Sequence, residues 1–157
     1  MVFILRHIFS LAILAGLCVS GFFISMNMSN IYVLVNDGFK ERADIVLSHK
    51  DPQNMSKYFS KYFMETDSYL QLIDIYKEYD ISGYGYNITT ESLWTWPWET
   101  RTEIIIHEVV YALDGIINSP NMTREEAALL GKENPPPWKN ATYKVVLIKN
   151  GGQWLID

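Results

Sequence analysis

Residues able to move a proton gather on one stretch of this chain. Between Thr102 and Leu113, strand alternation puts Glu103, Ile105, His107, Val109 and Tyr111 on one face, and Ile104, Ile106, Glu108, Val110 and Ala112 on the other. An imidazole titrates near neutrality, so His107 beside Glu103 and Tyr111 is the candidate for acid-base chemistry in a pocket. The plainer reading, a structural or solvated strand histidine next to Glu108, is preferred, because proton transfer demands a geometry that spacing alone does not supply. No phosphate-binding glycine loop, nucleophile elbow, calcium loop or zinc spacing accompanies this stretch, and His7, His49 and His107 share no metal-like spacing. No cofactor or metal is expected. Enzymatic activity stays open, with a non-catalytic role preferred.

The second chemical feature is aromatic. Twelve of the twenty-two Phe, Tyr and Trp residues fall between Tyr58 and Trp98. Trp94, Trp96 and Trp98 alternate with Thr95 and Pro97, which would set three indoles on one face. Such a cluster is either buried core, each ring covering on the order of 150–250 Å², or a partner-binding surface or ligand-pocket wall, since Trp is enriched at interface hot spots. Anchoring at a membrane interface fits less well, because these residues are far from the apolar N-terminus in sequence.

That N-terminus sets the expected compartment. From Ile8 to Asn36 the sequence carries no charge, and its apolar run through Phe22, Phe23 and Ile24 is long enough to cross a bilayer, which takes about 20 residues. A cleavable signal would end its apolar region sooner, although Val19-Ser20-Gly21 has the small residues of a cleavage site. Leu17 before Cys18 puts a lipoprotein motif out of register. Arg6 and His7 precede the run and no Lys or Arg follows until Lys40, so residues 1–30 read as a signal-anchor with its N-terminus in the cytoplasm, and residues 31–157 as a domain outside it. That outer part is acidic, with twelve Lys and Arg against eighteen Asp and Glu beyond the first 28 residues, which argues against nucleic acid as a partner. A single cysteine excludes an intrachain disulfide.

The elements that would position these residues follow from periodicity. Ile31, Leu34, Val35, Phe39, Ala43, Val46 and Leu47 form a helical stripe, with Asp37, Lys40, Glu41, Arg42 and Asp44 on the polar side. Asp51-Pro52 starts a second helix whose stripe is Met55, Tyr58, Phe59, Tyr62 and Phe63. Thr66 or Asp67 caps a short third one with Tyr69, Leu72, Ile73 and Tyr76 on one face. Strands then follow: Tyr84, Tyr86 and Ile88; an edge strand, bulge or strand end at Trp94–Trp98, where Pro97 lacks a donor; and Thr102–Leu113, closed by a turn at Asp114-Gly115. Thr123 and Glu126 have capping-box spacing for a helix ending at Gly131, Pro135-Pro136-Pro137 is an extended linker, and Tyr143–Ile148 with Gln153–Ile156 is a hairpin about Asn150-Gly151-Gly152. Five Asn-x-Ser/Thr sequons, at Asn27, Asn54, Asn87, Asn121 and Asn140, exceed the roughly one expected by chance and permit glycosylation in a host that performs it.

Helices first and then antiparallel strands predict an α+β fold with helices packed on a curved, cone-like sheet. The ending Val145–Asp157, closing on Trp154-Leu155-Ile156-Asp157, resembles the final hairpin of the nuclear transport factor 2-like, or SnoaL-like, superfamily, and the element order from Ile31 onward is similar to that family's. Members anchored by one N-terminal helix include inner-membrane ring components of type IV secretion and their Gram-positive conjugation relatives. The resemblance implies a membrane-anchored domain with an interaction or assembly role and a protein partner or a second copy of itself. Enzymes of the superfamily use a carboxylate or histidine with a tyrosine at a pocket mouth, but no positional motif carries that role onto His107, Glu103, Asp74 or Tyr111. The alternative expectation is a pocket for a small apolar ligand, bound or turned over.

Overall fold

The computed structural model describes residues 2–157, without the side chains of residues 2–6 and Leu72. The Arg6 charge behind the expected orientation, and Leu72 on the expected third helix, thus lie outside the described side chains. The fold is α+β: one long apolar N-terminal helix, short helical pieces, and a curled four-stranded antiparallel sheet of order β1-β2-β3-β4.

Helix α1 runs unbroken over Val2–Ser48 and has two surroundings. From Ile8 to Met26 its side chains stand exposed apart from a half-buried Ile24, and this part is long and apolar enough to cross a membrane. Burial starts at Asn27 and continues through Ile31, Val35, Phe39, Arg42, Ala43 and Val46, one stripe that packs on the inner face of the sheet. The predicted stripe therefore forms, with one correction: Arg42, assigned to the polar side, is 1% exposed.

Arg42 is tolerated in the core because two carboxylates and two aromatic rings meet its guanidinium, although its Nε has no hydrogen-bond partner. One guanidinium nitrogen lies 2.6 Å from Glu108 on β2 (Arg101–Ile117), and another lies 2.7 Å from Asp67 in the connection after α2 (Lys61–Thr66). Its cationic carbon sits 4.5 Å from the Phe39 ring centroid and 4.9 Å from that of Tyr69, favourable for a partly desolvated cation. The second Glu108 oxygen accepts from the Tyr86 hydroxyl of β1 (Tyr79–Thr90) at 3.0 Å. Burial, with the Glu108 charge beside it, pushes the Tyr86 phenol well above its ordinary value, so it remains a donor.

The second predicted helix is two pieces. A 3-10 turn, Pro52–Lys57, capped by the Asp51 carboxylate, stops before Phe59, and α2 restarts under a Ser60 cap. Between them the chain makes a parallel bridge to β4 (Gln153–Ile156): Ser60 N donates to Ile156 O at 2.7 Å, and Ile156 N to Tyr58 O at 2.8 Å. These bonds cover the free edge of β4 and override the helical period. Asp67 Oδ1 does accept from the amides of Tyr69 and Leu70, as expected of a cap, ahead of a short turn and α3 (Ile73–Tyr76).

Two further expectations change. Asp114-Gly115 is no turn, since β2 continues to Ile117 in register with β1. The face reverses instead at Ala112, where φ is 49° and the pairing shifts, so that Val110 and Ile117 are both buried while Ala112 faces out. Gly115 serves close approach: a Cβ there would stand 2.9 Å from the Asp80 carbonyl. Trp94–Trp98 belongs to a loop, not a strand. The capping box at Thr123 forms on α4 (Arg124–Leu129), and β3 (Ala141–Asn150) joins β4 through Gly151 and Gly152, both with positive φ as a two-residue hairpin requires. Of the sequons, Asn27 is buried and the Asn140 side chain accepts from Val110 N at 2.9 Å.

Two stability outcomes follow. Phe59→Ala, at a ring 1% exposed and stacked on Phe63, is expected to cost about 3–5 kcal/mol in urea unfolding of the detergent-solubilised chain. Arg42→Met alone should cost a similar amount, about 3–5 kcal/mol, by leaving Glu108 buried and uncompensated, whereas Arg42→Met with Glu108→Leu should recover much of it. A double-variant loss equal to the sum of the Arg42→Met and Glu108→Leu losses would mean that the pair is not coupled.

Candidate functional site

The acid-base candidates occupy the outer face of the sheet. His107 Nδ1 is 2.8 Å from Thr142 Oγ1 and its Nε2 3.3 Å from Glu91, with the His107 and Glu91 side chains both about half exposed. Glu103 pairs with Lys144 at 2.5 Å, and Tyr111 lies outward, 56% exposed, over Gly85, where a Cβ would meet its ring. Asp74 is engaged with Lys77 at the protein surface. Alternation did bring Glu103, His107 and Tyr111 to one face, but that face is solvated. The inner face, where Glu108 points, is filled by Arg42 and the α1 stripe. Two surface clefts of about 650 and 620 Å³ lie elsewhere, around Tyr79 with Pro136 and around Asp80 with Asp114. Among the described residues no group of three His, Cys, Asp or Glu is placed to hold a metal ion.

The aromatic cluster divides in two. Phe59, Tyr69, Tyr76 and Tyr79 are buried, so this part is core. The tryptophans are not: Trp94 is 62%, Trp96 38% and Trp98 73% exposed. Trp96 stacks on Trp98 with centroids 5.0 Å apart, and Trp94 meets it edge-on at 5.4 Å.

The loop holds these rings outward by fixing the residues between them. Leu93 enters the core, and Thr95 is fully buried with its hydroxyl 2.7 Å from Glu99 Oε2. The same carboxylate oxygen accepts from Trp96 N, Glu99 N donates to Trp96 O, and Lys149 Nζ donates to Pro97 O at 3.0 Å. The two-residue period seen in the sequence is therefore real, although side-chain hydrogen bonds maintain it instead of a strand ladder.

Sequence distance misled on where this loop sits. Trp96 O lies 3.5 Å from Asn27 Nδ2, across 69 residues of sequence, and Tyr32 OH donates to Glu91 O at 3.2 Å. Asn27 also accepts from the Trp154 indole at 2.9 Å. In the sequence Asn27 stands out only as a sequon, and its neighbours give no signal of this junction. The loop thus packs against α1 at the point where exposure ends and burial begins. Comparison of the chain with family models, with curated proteins and with solved structures finds no match.

Proposed function

We propose that this chain is a single-pass membrane protein, N-terminus in the cytoplasm, whose outer domain has a non-catalytic interaction or assembly role. One observation carries the reading: α1 leaves its exposed apolar stretch and enters the core without a break, so the domain is mounted rigidly on its own span. A rigid mount suits a part that must present a surface at fixed height and orientation. The filled inner face speaks against the rival, a pocket for a small apolar ligand. We read the curled sheet as the cone-like fold of the nuclear transport factor 2-like superfamily. The helix laid in the sheet and the closing hairpin with Trp154 support that kinship. Apolar side chains available for contact outside the span include Ile105 and Tyr111 on the outer face of β2 and the three tryptophans.

Orientation is testable with one engineered thiol. In a Cys18→Ser background, Asn118→Cys is expected to react with a membrane-impermeant maleimide in intact cells. Labelling only after permeabilisation would reverse the topology. For the assembly role, a photo-crosslinking side chain at Tyr111 should give a discrete higher-mass adduct in intact membranes, and a chain that stays uncrosslinked there would argue against a partner on that face.

A further inference from the structure

We infer that Trp94, Trp96 and Trp98 are a second membrane attachment, seated among the lipid headgroups of the leaflet from which α1 emerges. This rests on the membrane-anchored reading above and adds to it the contact that fixes the domain's tilt.

Height is the first argument. Ile8–Met26 makes about 28 Å of helix at about 1.5 Å per residue, close to the hydrocarbon thickness of about 30 Å. A span seated on that stretch leaves the hydrocarbon at Asn27, the first buried residue, and Asn27 is where the Trp96 backbone packs. The loop that carries the rings therefore meets α1 at the boundary between hydrocarbon and water.

Chemistry is the second. An indole has a large apolar body and one N–H donor, which suits it to the headgroup zone better than to either water or acyl chains. Three adjacent exposed indoles form an apolar patch that a water-facing surface does not need. Of the loop's two acids, Glu99 is engaged internally by Thr95 and by Trp96 N and Glu91 lies 3.3 Å from His107 on the outer face of the sheet, while Lys149 stands beside Pro97 and Arg101 opens the strand that follows. This leaves cations near the position that lipid phosphates would take.

Rigidity is the third. Thr95, Glu99 and Leu93 hold the rings out, so they are presented and not merely unpacked. A protein partner at this site would have to enter the headgroup layer to reach them, which favours lipid as the occupant. With the helix and the loop both attached, the domain has two contacts with the bilayer and cannot swivel about the span.

The test uses the full chain in phosphatidylcholine vesicles, with or without lipid brominated near the headgroup end of its chains. Three of the five tryptophans are in the loop, so brominated lipid is expected to remove roughly half of the emission, and Trp94→Ser with Trp98→Ser to abolish most of that quenching. The unsubstituted chain decides the matter even if the variant misfolds. A chain that resists alkaline carbonate but is quenched by acrylamide and not by bromine overturns the loop contact alone. One shielded from both quenchers has its tryptophans covered by protein, a second copy or another partner, which overturns it equally. Release of the chain by carbonate removes the span itself, and the loop contact with it.

Discussion

A charge inside a protein must be met where it lies, and Arg42 is the place where this fold obeys that constraint. Its guanidinium reaches Glu108 on the central strand and Asp67 in the helical connection, with Phe39 and Tyr69 rings against it. Ion pairs of this kind add little net stability over a well-packed apolar substitute. What they add is intolerance of alternatives: successive helix residues point about 100° apart, so turning α1 by one position would strand a buried carboxylate. The rotation of α1 against the sheet is thereby fixed.

Because α1 has no break between Arg42 and Asn27, that rotation is carried along the helix to its exposed half. Asn27 faces the same side as the core stripe and there receives the Trp154 indole and the Trp96 carbonyl region. The buried ion pair and the junction under the tryptophan loop are thus two ends of one rigid element. Filling the inner face with the helix also decides where chemistry is available: Glu108 is consumed in the core, and His107, one residue earlier, is turned to solvent.

Local chemistry was legible where local interactions decide the outcome. The Thr123 box and the Gly151-Gly152 turn each depend on bonds spanning a few residues, and each forms; Asp67, one of two expected caps, accepts from Tyr69 N and Leu70 N, but the single helix expected after it is two short pieces. The apolar stripe of α1 was legible for the same reason, because a helix repeats its environment every turn. The Met55-to-Phe63 stripe had as good a period and still broke, since Tyr58 and Ser60 found backbone partners on Ile156 nearly a hundred residues later. Asp114-Gly115 had turn chemistry but lay opposite β1, whose ladder carried the strand past it.

By itself the sequence determined the apolar run, the change from helical to strand period, the impossibility of an intrachain disulfide and the alternation that sets the three tryptophans on one face, while leaving open whether that face is buried. These are matters of composition and of contacts between near neighbours. Only the tertiary structure decided that Arg42 is core, that His107 and Glu103 face solvent, and that the tryptophans stand beside Asn27. Each depends on closing a loop of tens of residues, 66 between Arg42 and Glu108 and 69 between Asn27 and Trp96. No periodicity encodes such a closure, because it is selected by which buried charge, amide or ring finds its partner when the whole chain packs.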